Sequence, residues 1–191
     1  MKNFFTNSIL ISFFCIILFA PSLIAQDDWR GKTIETKDNF PYLKEKYEMT
    51  LDQTFDTVWE AAKKSIEEIN CSIITANTRQ DDEGLYRGTI QSDFCIFAVG
   101  DTTLQNMRYY SIDLPFIRGG VWANGRMQYK IIVRETQDNK VYVLLTGEIS
   151  GMESHVTSKV HFWKSNGFKE SMMIERIKMN LGLPHELKEK L

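Results

Sequence analysis

Three histidines, His155, His161 and His185, are the first residues to weigh for metal or acid–base chemistry. His155 and His161 stand six apart, which on a strand puts them on one face but roughly 20 Å from each other, too far to share an ion. His185 belongs to a charged C-terminal stretch. Neither HExxH nor CxxC occurs, so no metal and no cofactor is expected. Ser150-Gly151 and Ser165-Asn166-Gly167 lack the Gly-x-Ser-x-Gly elbow of an activated serine and read as turn or cap. If unbridged, Cys95, between Phe94 and Ile96-Phe97, has an apolar setting that raises a thiol pKa rather than activating it. Asp81-Asp82-Glu83 form a solvated turn, and Arg118-Gly119-Gly120 has no phosphate-loop continuation. A non-enzyme is the expectation, with a hydrolase lacking a recognisable motif as the third reading.

An aromatic and basic stripe is the remaining feature. From Val121 to Val133, apolar residues alternate with polar ones, and Gly125 sits in the apolar register as a candidate bulge. If Val121, Met127 and Val133 face the helices, then Trp122, Arg126 and Lys130 face away. On the following strand, Tyr142 is out of step with Val141 and Val143. On the last, His161 and Trp163 are out of step with Val160 and Phe162. The expectation is a platform for a ligand or partner made of Trp122, Arg126, Lys130, Tyr142, His161 and Trp163.

These residues need a scaffold, and the rest of the chain supplies one. Phe55, Val58, Trp59, Ala62, Ile66 and Ile69 lie on one helical face, predicting a helix over about 52–69 with Thr50 or Asp52 as its cap. Met173, Ile177 and Leu181, with Phe168 and Ile174, predict a second helix over about 166–182. It starts at Ser165 or Asn166 and stops at Gly182 and Pro184. Between them come strand-like runs near 71–75, 85–92, 94–98, 106–114, 121–133, 141–149 and 157–163. The fold class expected is α+β: an antiparallel sheet of about five to seven strands with the two helices packed on one face.

Lys2, the apolar run Ile9–Ala20, Pro21 and Ala25 read as a signal peptide over residues 1–25, cut before Gln26. The apolar run is too short to span a bilayer, and no later stretch is long and apolar enough, so no membrane span is expected after cleavage. Residues 26–45 read as a charged, flexible leader, 46–183 as a single domain, and 184–191 as a tail. Export would place Cys71 and Cys95 in an oxidising compartment, where they either form one bridge or stay as buried thiols. A net charge of −2 gives no footprint for nucleic acid.

Three local patterns carry a resemblance. Lys46-Tyr47-Glu48-Met49 precedes the first helix, that helix carries Phe55-Asp56-Thr57-Val58-Trp59, and Trp163-Lys164-Ser165-Asn166-Gly167-Phe168 announces the last one. The layout from Tyr47 to Leu181 resembles the helix-grip-like bacterial envelope domains of the C lipoprotein of the outer-membrane β-barrel assembly machinery. The resemblance implies an exported, non-enzymatic envelope module, periplasmic or secreted and peripheral to the outer membrane. It would bind a protein or envelope component. The alternative is a carrier holding a small apolar ligand between sheet and helix. This chain lacks the lipidated cysteine of that family, and the resemblance carries over no binding residue.

Overall fold

The longest alternating run pairs with the segment after the 137–140 turn, and this hairpin is the spine of the protein. In the computed structural model, which describes residues 46–187, the chain runs β1 (Lys46–Leu51), α1 (Phe55–Glu67), β2 (Ile73–Gln80), β3 (Tyr86–Ser92), β4 (Cys95–Val99), α2 (Thr103–Tyr109), β5 (Trp122–Glu135), β6 (Val141–Glu153), β7 (Lys159–Trp163) and α3 (Phe168–Asn180). Among the described residues the fold is α+β, with one open antiparallel sheet of seven strands and three α-helices. Strand order is β1-β6-β5-β3-β2, with β4 added to β5 and β7 to β6. The stretches read as signal peptide and leader, and residues 188–191, lie outside the described residues. Among the described residues no helix is long and apolar enough to cross a membrane.

Both long strands change partner midway. β5 pairs with β4 through Asn124–Met127 and with β3 through Lys130–Arg134. β6 pairs with β1 through Val141–Thr146 and with β7 through Ile149–Glu153. Ser92 bridges the changeover on β5: its Oγ accepts from the Tyr129 N–H at 2.8 Å, and its carbonyl accepts from Gln128 Nε2 at 3.0 Å.

The buried face of the hairpin carries Met127, Tyr129, Ile131, Val133, Val143, Leu145 and Ile149, all nearly inaccessible. α1 and α3 touch each other and share one apolar cluster with these residues. Glycines on that face admit large neighbours. A Cβ on Gly88 would lie 2.3 Å from the Trp59 ring, and one on Gly147 would lie 2.8 Å from Glu170 Oε1.

Helix ends follow side-chain chemistry, at positions slightly different from those expected. Thr54 caps α1 by accepting from the Thr57 N–H at 3.4 Å; Thr50 is still in β1, opposite Tyr142. α3 begins after Gly167, whose φ of +84° favours glycine, and Asn166 Oδ1 accepts from the Phe168 N–H at 3.1 Å. Gly182, at φ +68°, ends it, with the Leu183 N–H returned to the Lys178 carbonyl.

Two expectations are corrected here. Of the segment read as a strand over 106–114, residues 106–109 belong to the helix α2 and the rest is irregular apart from one isolated bridge from Ser111 to Ser165. The buried Met107 of α2 sits against Gly125 and Gly151, which face each other across the hairpin: a Cβ on Gly125 would lie 2.8 Å from Met107 Cγ, and one on Gly151 2.6 Å from Met107 Cε. Gly125 is therefore a seat for α2 within regular β5–β6 pairing. The hairpin's bulge falls earlier, between Trp122 and Asn124.

Candidate functional site

That bulge decides where Trp122 goes. Trp122 pairs with Glu153 and Asn124 with Met152, so Ala123 is the extra residue and Trp122 is returned to the parity of Met127, the buried face. On β7, Trp163 pairs with Ile149 and His161 with Gly151, both positions of the buried face. The expected placement of Trp122, His161 and Trp163 on the face away from the core is thus overturned. Val160 and Phe162, expected inside, are 39% and 52% exposed. In the same way Val121 and Ala123, expected inside, are exposed. A one-residue bulge inverts every side chain beyond it, and a short strand with apolar residues at both parities gives no internal signal of its register.

The displaced aromatics form a half-buried cluster that organises the loops at this end. Trp122 lies 5.5 Å from Trp163 and 5.7 Å from His161, ring to ring. Trp163 Nε1 donates to Ser111 Oγ, whose hydroxyl donates to the Met107 carbonyl at the end of α2. His161 Nε2 shares a 2.8 Å hydrogen bond with Thr157 Oγ1, and that hydroxyl donates at 2.7 Å to Glu153. The buried Glu153 carboxylate also accepts from the backbone N–H of Val121, His155, Val156 and Thr157. Burial pushes this carboxyl up. The Val156 N–H, the Thr157 hydroxyl and N–H, and the His155 N–H outweigh that and hold it well below the usual carboxylate range.

A pH dependence follows from the sign of that shift. The folded pKa is depressed, so the contribution to stability is complete above the ordinary value of 4.5 and disappears as pH falls through the folded value. Glu153→Gln should lower the urea midpoint at pH 7. Its gap from the wild type should narrow steadily in titrations taken from pH 4.5 downward. A gap of equal size at pH 7 and pH 2 would show that the charge contributes nothing.

On the opposite face, two cross-strand rows meet. Ile96, Arg126, Ser150 and Phe162 form one row across β4, β5, β6 and β7; Val99, Asn124, Met152 and Val160 form the next. Ile96 is 62% and Val99 60% exposed. The Arg126 guanidinium lies over the Phe94 ring at 5.0 Å, and Phe94 leans toward Phe162 at 6.1 Å. Within this apolar surround, Asn124 Oδ1, Arg126 Nε and Ser150 Oγ are buried and have no hydrogen-bond partner among the described residues. Lys130 and Tyr142 share this face but lie elsewhere. Lys130 is four residues along β5 from Arg126, about 13 Å. Tyr142 pairs with Arg134, which stacks on its ring at 4.2 Å, about 26 Å along the strand from Arg126. The six expected binding residues therefore form no single platform. Phe94, Ile96 and Phe162 were missed; the exposed apolar parity of β4 and β7 becomes readable only once the strands are in register.

A third feature is a cleft of about 160 Å³ between α3 and the β4–β5 edge, lined by Phe97, Met127, Tyr129, Lys169, Met173 and Arg176 among others. Lys169 Nζ lies 4.3 Å from the Tyr110 ring centre and 5.3 Å from that of Phe97, and burial pulls its pKa down. Burial, with the nearby Glu170, raises the Tyr129 phenol, which stays protonated. Next to the cleft, Cys71 and Cys95 are joined by a disulfide with their Cα atoms 5.2 Å apart. Among the described residues no group of three or more His, Cys, Asp or Glu side chains could hold a metal ion.

No family model matches this chain, and no curated protein does. Among solved structures it is similar to a DUF4468 family protein from Bacteroides ovatus ATCC 8483. The two are 9% identical, with a TM-score of 0.36, over 81% of this chain and 95% of that one.

Proposed function

We propose that this chain is an exported, non-enzymatic envelope module that binds a protein partner through the sheet face opposite its core. In this reading α1 and α3 cover the buried face in a helix-grip-like arrangement, the signal peptide directs export to the periplasm or beyond, and the opposite face stays free for docking. One observation carries it: three unpartnered buried polar atoms on Asn124, Arg126 and Ser150 sit inside a patch of exposed Ile96, Val99, Val160 and Phe162. Buried polar groups are ordinarily hydrogen-bonded, and a partner's backbone or side chains would complete these once the apolar side chains that cover them move aside. An arginine stacked on phenylalanine at the centre of an apolar ring is the composition of an interface anchor.

The test is site-resolved crosslinking in intact cells. A photoreactive residue replacing Ile96 or Phe162 should trap one discrete partner, and the same residue at exposed Asn77 on β2 should not. Adding Arg126→Ala should abolish the product. Equal trapping at Asn77, or crosslinks only to the chain's own residues 26–45, would rule the reading out.

A further inference from the structure

The cleft beside α3, which meets the docking face only at Ile96 on β4, has the makings of a second binding site. We propose that this cleft binds a small monocarboxylate, with the carboxylate on Lys169 Nζ and the apolar body against Met127 and Met173. Three observations converge. The first is an ammonium without an anion. Lys169 Nζ rests on Tyr110 and Phe97, and among the described residues no carboxylate makes an ion pair with it. A partly buried cation held only by ring faces leaves much of its charge uncompensated, so an anion brought to it gains more than at the open surface.

The second is the uniform polarity of the lining. Beside Lys169 the cleft is lined by Arg176 and by Tyr129, whose phenol stays protonated and can donate, and no carboxylate is among its lining residues. Arg176 is already engaged with Glu68 at 3.4 Å, which leaves Lys169 as the free charge. Two helical turns separate Lys169 from Arg176, about 10.5 Å, and Met172 and Met173 fill the interval. The buried Glu170 does not compete for the ammonium: its carboxylate accepts from Ser165 Oγ at 2.9 Å and is packed on Gly147.

The third is size. At about 160 Å³ the cleft is well below the ~300–1,000 Å³ of drug-sized ligand sites, which restricts the occupant to a single ring or a short chain. Its walls of Phe97, Met127, Met172 and Met173 suit an apolar body, and thioether side chains adapt to varied shapes. A sugar or a polar amino acid would leave its hydroxyls or ammonium facing methyl groups and cations.

Benzoate is the probe, titrated into the purified, disulfide-intact protein while the methionine methyl resonances are followed by NMR. Benzoate should shift Met127, Met172 and Met173 saturably in the millimolar range. Benzyl alcohol and benzylamine should bind about tenfold more weakly or worse. Lys169→Met should weaken benzoate binding about tenfold or more. Met172→Trp, at the solvent-facing wall, should block the cleft with the charge retained, so the test does not hang on one variant's folding. Phe162→Ala should leave the titration unchanged, which separates this site from the docking face. Equal binding of benzyl alcohol, or no methyl shift up to about 20 mM benzoate, would overturn the proposal.

Discussion

Trp59→Ala should destabilise the protein by about 3–5 kcal/mol, the usual cost of truncating a large buried aromatic. Trp59 is 8% exposed, stacks on Phe55 at 5.7 Å, and its indole occupies the space that a side chain on Gly88 would need. The pair makes a sharper test than the single change. Gly88→Ala places a methyl 2.3 Å from the ring, against a rigid bicycle rather than the tip of a flexible chain, so either the ring or β3 must move. Overpacking of this kind costs about 1–3 kcal/mol. In the Trp59→Ala background the same methyl enters a cavity and should be close to neutral. Urea denaturation of the two single variants and the double variant would then show a coupling of about 1–3 kcal/mol. Additive losses would mean that the indole does not pack on Gly88.

The disulfide gives the second large effect. Cys71 follows α1 and Cys95 opens β4, so the bridge spans β2 and β3 and fastens the α1 exit to the sheet edge that lines the cleft. Closing a loop of this length restricts the unfolded chain by about 3 kcal/mol in the entropic treatment. Replacing both cysteines by serine should lower the urea midpoint accordingly, with a further cost because Cys71 is buried within the apolar cluster. Alkylation under denaturing conditions without reductant should label neither cysteine of the wild type. Two labelled thiols, or midpoints identical in the two proteins, would count against the bridge.

What the sequence made legible was periodicity over long spans. The α1 face, the Met127–Val133 alternation and the α3 stripe could all be read, because seven or more residues repeat one period there. The helix α2 could not. Met107 is its one large fully buried side chain, and the cue that seats it, Gly125 opposite Gly151, is a pairing between distant residues. The candidate site failed for a related reason. Parity counted from Met127 was sound as far as Asn124 and then broke at Ala123, and β7 is five residues with valine, phenylalanine and tryptophan at both parities. Arg126, Lys130 and Tyr142 lie on long regular stretches and are on the face expected of them. Trp122, His161 and Trp163 lie beyond a bulge or on the short strand, and are not. The unpartnered atoms on Asn124, Arg126 and Ser150 have no signature in sequence, since a polar residue at the solvent parity of a strand is ordinary.

The partner exchange along the hairpin also fixes the order in which the chain can assemble. β5 and β6 are joined by a short turn and can zip together locally, and the bridge from Cys71 to Cys95 closes within a single neighbourhood of chain. β1 has no such option. Its partner is β6, with Leu51 opposite Val141, so the strand that emerges first waits for one that emerges roughly a hundred residues later. α1 is tethered to β1 by three residues and packs on β2 and β3 but also on β5 and α3, so its cover is completed late as well. A chain delivered N-terminus first would therefore carry an unpaired edge strand, and an amphipathic helix covered only by β2 and β3, until the hairpin arrives. The late-closing, non-local β1–β6 pairing leaves this segment exposed to misassociation on the way to the native fold.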